Sequence, residues 1–113
     1  MNAEQIACQL YRSYYWFDYY QSKASHPATK ADIEAYCMRN YDDYACDGNP
    51  WKDEEVALRI KNEYLCEMRE EASDIDDYIA MYREGKERTD ELDAFAERWD
   101  AYRDECERSF INH

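Results

Sequence analysis

Ten carboxylates in this sequence fall into two rows whose spacing could do chemistry together. Asp93, Glu97, Asp100, Asp104 and Glu107 step by 4, 3, 4 and 3 residues, and Glu63, Glu67, Glu70, Asp74 and Asp77 repeat the same steps. On an α-helix such steps keep every side chain on one face. Each row then runs about 21 Å at a 1.5 Å rise per residue. Neighbouring carboxylates lie roughly 5–6 Å apart. Duplex DNA offers a phosphate every ~3.4 Å of axis along each strand, so a rigid acidic rod of this kind matches a polynucleotide edge in sign and extent. The chemistry expected of such rows is attraction to a basic surface, not bond making.

A third row is aromatic. The stretch YRSYYWFDYY, residues 11–20, places Tyr11, Tyr15 and Tyr19 four residues apart. Ala3, Ile6, Leu10, Tyr14 and Phe17 form a different face of the same segment, with Ile6, Leu10 and Phe17 as core candidates. The tyrosine row is surplus to that core. It contacts a further helix of the same domain or it faces a partner. Tyrosine suits an interface, since it carries a large apolar area and a hydroxyl at low entropic cost.

Signatures of catalysis are missing. With two glycines the chain has no Gly-rich phosphate loop. It contains neither HExxH nor Glu-x-x-His, and its two histidines, His26 and His113, have no placement that suggests a nucleophile pair. Cys8, Cys37, Cys46, Cys66 and Cys106 include no CxxC spacing. They are expected as free thiols, several of them buried. No cofactor, metal or enzymatic activity is expected.

Four helical segments must position the rows. The first runs from about Ala3 to Ser22. Pro27 then marks a connection, and Thr29 with Asp32 resembles a capping box. A second segment, to about Cys46, presents Ile33, Tyr36, Cys37, Tyr41 and Tyr44 on one face. Gly48, Asn49 and Pro50 read as a helix stop followed by a new start. Val56, Ile60, Tyr64, Met68 and Ala72 step by four, and Ile75, Tyr78, Ile79 and Tyr82 continue in phase. One helix over about residues 50–84 is therefore preferred to a break near Ser73, and Gly85 ends it. Thr89 caps a last helix whose apolar face is Leu92, Phe95, Ala96, Trp99, Tyr102, Cys106 and Phe110. With short connections this predicts one all-α domain over residues 1–113, a small antiparallel bundle of four or five helices.

The net charge of −13 repels nucleic acid and anionic membranes and attracts basic partners. The excess is uneven. Residues 1–50 carry 7 acids and 4 bases, and the remainder carries 20 acids and 10 bases. Regular apolar spacing and abundant aromatics argue against disorder. The opening MNAEQIACQL lacks a basic region followed by a long apolar run, and no stretch reaches the length of a membrane span. A cytoplasmic protein is expected, in the host cytosol if phage-encoded.

In size, charge and helicity the whole chain resembles the small acidic anti-defence proteins of phages and mobile elements, the anti-CRISPR and antirestriction DNA mimics. That resemblance rests on no motif. It implies a stoichiometric inhibitor whose partner is a basic nucleic-acid-binding protein, a nuclease or CRISPR–Cas effector, with no direct contact to nucleic acid. It leaves room for a homodimer. The binding residues would be the two acidic rows with Tyr11, Tyr15 and Tyr19. Two competing readings stand beside it: an acidic face that serves only solubility, and a non-catalytic adaptor that binds through its Tyr-rich face.

Overall fold

Capping and apolar spacing together decide where the helices begin and end. In a computed structural model, which describes residues 1–39 and 54–112, the chain forms α1 (Ala3–Ala24), α2 (Lys30–Arg39), α3 (Glu54–Glu84) and α4 (Asp90–Asn112). No strand occurs among the described residues. The expected face residues Tyr41, Tyr44 and Cys46, the stop at Gly48–Pro50 and the Phe110 side chain lie outside the described parts. Among the described residues no helix is long and apolar enough to cross a membrane.

The starts of α1, α2 and α4 each carry a cap. The Asn2 side chain accepts from the Gln5 N–H while the Gln5 side chain accepts from the Asn2 N–H, a reciprocal box that opens α1. Thr29 and Asp32 form the expected box at α2, with Oγ1 of Thr29 accepting from the Asp32 N–H at 3.2 Å and the Asp32 carboxylate accepting from the Thr29 N–H at 2.9 Å. Thr89 caps α4 through the Leu92 N–H at 3.1 Å.

α3 is unbroken past Ser73, as its apolar phase requires. Its 31 residues correspond to about 46 Å, which explains the elongated 57 × 26 × 16 Å dimensions of the molecule. α1 lies antiparallel against α3, close along its length. Small buried residues, Ala3, Ser13 and Ala24 on α1 and Ala72 on α3, suit that near approach. α4 runs back antiparallel to α3 and packs through large rings instead. Phe17 of α1 meets Trp99 edge to face at 5.2 Å and Tyr102 at 6.2 Å. The core is one cluster that joins Leu10 and Phe17 to Ile60, Met68, Ile75, Ile79, Leu92, Phe95 and Trp99. At about 1.5–3 kcal/mol for each large side chain, this burial is the main force closing the bundle.

The α3–α4 turn is latched by Arg88. Its guanidinium donates to the carbonyls of Tyr82 and Arg83, both at 2.7 Å, and to Gly85 at 2.9 Å, and it sits 5.0 Å above the Tyr82 ring. Carbonyls at a helix C-terminus lack the usual partner four residues on, and a cation there also meets the negative end of the helix dipole. The Gly85 N–H donates to the carbonyls of Met81 and Tyr82, closing the last turn.

The described cysteines are free thiols as expected, but fewer are buried than expected. Among the described residues Cys106 alone is buried, Cys37 is half-buried, and Cys8 and Cys66 are exposed. Cys8 and Cys66 fall on the outer sides of α1 and α3, where helix azimuth outweighs the usual preference of a thiol for the interior. Burial pushes the Cys106 thiol up to about 11.

Candidate interaction surface

The tyrosine row of α1 is divided by its neighbours. Tyr11 turns toward α4, where its hydroxyl donates to Glu91 at 2.6 Å and its ring meets Phe95 edge to face at 5.9 Å. The Glu91 hydrogen bond, with some burial, raises the Tyr11 hydroxyl to about 12. Tyr11 is thus tied into the protein. It is nonetheless 41% exposed, close to Tyr19 at 42%, and Tyr15 is the most exposed of the row at 65%. Tyr14, grouped with the core face by spacing, is also 40% exposed. It sits on the flank of α1 that meets α4, edge-on to Phe95 and Trp99. These rings with Tyr102 and Arg98 line a cleft of about 290 Å³.

The outer aromatics form a connected patch. Trp16 contacts Tyr15 at 5.3 Å, Tyr19 at 5.7 Å and Tyr20 at 5.9 Å, the last pair nearly parallel at 28°. Tyr20 leans in turn on Tyr64 of α3. Spacing alone left Trp16 and Tyr20 without a role, yet they join the patch to the acidic side of α3.

There the first acidic row runs along one continuous helix. Glu63, at its start, is clasped by Arg39 of α2 through two hydrogen bonds of 2.6 and 3.1 Å. Glu70, Asp74 and Asp77 are exposed, and Glu67 is half-buried. Glu71, which spacing had not singled out, sits between this row and α1. Burial raises its carboxyl above the usual range, the Ser13 hydroxyl and Arg12 oppose the rise, and Asp74 and Glu67 add to it. Trp16, Tyr20 and Tyr78 with Glu71, Asp74 and Arg12 frame an open groove of about 270 Å³ between α1 and α3.

The second row has a different setting. Asp76 lies two residues from Asp74, and at 3.6 residues per turn the two point to opposite flanks of α3. Asp76 faces α4, accepting from the Trp99 indole at 2.7 Å and from Arg103 at 3.0 Å. The α4 row borders this same flank. Arg103 also pairs with Glu107 at 2.8 Å, Arg83 of α3 pairs with Asp100, and Asp93 accepts from the buried Tyr82 hydroxyl at 2.7 Å. Glu97 and Asp104 are exposed. The two rows therefore occupy separate sides of the molecule, and the α4 row is interleaved with arginines.

At the far end, Asp32 joins three helices. It caps α2, pairs with Lys23 of α1 at 3.4 Å and lies 3.5 Å from the Tyr64 hydroxyl of α3. Burial would raise its carboxyl, but the Thr29 hydrogen bonds and Lys23 outweigh it and hold it below the usual range. Burial, with Asp32 nearby, lifts the Tyr64 hydroxyl to about 12. Among the described residues no three His, Cys, Asp or Glu side chains gather as a metal ion would need. Comparison with known proteins gives no matching family model, no matching curated protein and no matching solved structure.

Proposed function

We propose that this protein is a stoichiometric inhibitor that covers the basic nucleic-acid-binding surface of a defence nuclease or CRISPR–Cas effector. One observation carries the reading: Glu67, Glu70, Asp74 and Asp77 are displayed on a single unbroken helix. Beside them lies an exposed aromatic patch, Tyr15, Trp16 and Tyr19. Like charges at helical spacing cost a few tenths of a kcal/mol per pair. Such a row brings a return when a cationic surface docks on it. Aromatic rings next to carboxylates add stacking and cation–π contacts for arginine. The α4 row contributes less, because Arg83 and Arg103 already offset Asp100 and Glu107.

The test is competition. A panel of restriction nucleases and CRISPR effectors is titrated with the protein in the presence of labelled target nucleic acid, at low and at high salt. Displacement of the nucleic acid, weakening steeply with salt, is the expected result. Simultaneous binding of both, or an affinity indifferent to salt, overturns the mimicry.

The same patch favours a second reading, a non-catalytic adaptor bound through Tyr15, Trp16 and Tyr19. In that case replacing Tyr15 and Tyr19 by Ala abolishes binding, while Lys at Glu70 and Asp77 leaves it unchanged.

A further inference from the structure

We infer that the groove between α1 and α3, walled by Trp16, Tyr20 and Tyr78 and floored by Glu71 and Asp74, receives an arginine side chain of the partner. The inference rests on the proposed function and names the chemistry by which that surface recognises its target. Size is the first consideration. About 270 Å³ is below the roughly 300–1,000 Å³ of small-molecule pockets and suits one long side chain. Charge is the second. Glu67, Glu71 and Asp74 crowd one another, with Arg12 at the rim, and the like charges of Glu67 and Asp74 act on Glu71. An incoming cation relieves that repulsion, whereas a second copy of this chain, also at −13, is repelled.

Shape selects among cations. Trp16 is held between Tyr15, Tyr19 and Tyr20, so its ring is braced and little entropy is lost on contact. A guanidinium is planar, weakly hydrated and able to stack on such rings while its N–H fork reaches carboxylates. An ammonium is compact, strongly hydrated and does neither as well. The groove is therefore an arginine reader more than a general cation trap.

The experiment uses two decapeptides of equal charge, alternating Arg–Gly and alternating Lys–Gly, titrated calorimetrically against the intact protein. The expected result is about tenfold tighter binding of the arginine peptide. Glu71→Gln with Asp74→Asn removes that preference, and so does Trp16→Leu. The carboxamide pair keeps the shape of the groove and the acceptor for Ser13, so it reads the site even if Trp16→Leu unfolds. Equal affinity for the two peptides, or a preference that survives both variants, overturns the inference. Failure here alongside intact, salt-sensitive competition with nucleic acid leaves the proposed function standing. Arginine selectivity without any competition sinks the function and keeps the groove.

Discussion

Tyr14 and Tyr15 adjoin in the chain and meet different surroundings. Tyr14 flanks the seam between α1 and α4, edge-on to Phe95 and Trp99 though still 40% exposed, while Tyr15 stands 65% exposed beside Trp16. The two sides of α1 carry the same residue types. What separates them is the opposing element: α4 brings Phe95 and Trp99 against Tyr14, whereas Tyr15 lies against Trp16 of its own helix. An aromatic side chain becomes core when a second apolar surface closes over it, and otherwise remains available for a partner.

Breaking the closed side gives the largest effect. Phe17→Ala deletes a ring that is 1% exposed and touches Trp99 and Tyr102. It is expected to cost about 3–5 kcal/mol, a large share of a typical stability of about 5–15 kcal/mol. Tyr15→Ala on the open side is expected to stay within about 0.5 kcal/mol. Urea unfolding of both variants measures the contrast, and comparable losses would mean the patch is structural.

Next comes the α3–α4 seam. Asp76→Ala leaves the indole N–H of buried Trp99 and one face of Arg103 without their acceptor. A loss of about 1–3 kcal/mol is expected, with Asp76→Asn recovering part of it. Thermal unfolding of the two variants checks this, and an unaffected Asp76→Ala protein would remove the seam from the account.

The acidic rows offer a comparison of their own. Lys at Glu70 and Asp77 should slow association with a basic partner about tenfold, equivalent to about 1.4 kcal/mol. Lys at Asp100 and Asp104 should change it by no more than about threefold, because that row already has arginines beside it. Stopped-flow association rates decide, and equal slowing would restore the two rows to equal standing.

Asp32 should give the smallest effect. Its carboxyl is held below the ordinary range in the folded state, so its contribution is present above the ordinary carboxylate pKa and is lost as pH falls through the lowered one. The stability gap between wild type and Asp32→Asn should therefore narrow on acidification. A gap that widens toward low pH would reverse the assignment.

Much of the fold was legible in the sequence because caps and apolar phase are local. Thr29 with Asp32, Thr89, Gly85 and the in-phase run from Val56 to Tyr82 each specify a boundary or a face from a few neighbouring residues. The surface was less legible. Nothing in the 4, 3, 4, 3 spacing distinguishes the row that meets Arg83 and Arg103 from the row left largely exposed on α3, because that depends on the rotation of whole helices about their axes. The same rotation gave Tyr11 a partner in Glu91 of α4 and brought Trp16, Tyr20 and Glu71 together from two helices. In the sequence Arg88 is any charged loop residue, yet four carbonyls converge on it.

That convergence bears on the order in which the molecule assembles. The contacts of Arg88 and Thr89 with Tyr82 span six or seven positions of chain, whereas those of α1 with Glu91 and Tyr102 span about eighty. Short loops close sooner, so the α3–α4 hairpin forms early and α1 docks onto it late. Pulse-labelled amides should become protected in that sequence, and simultaneous protection of α1 would contradict it. Until α1 arrives, the rings destined for the interior and those left for a visitor are equally bare.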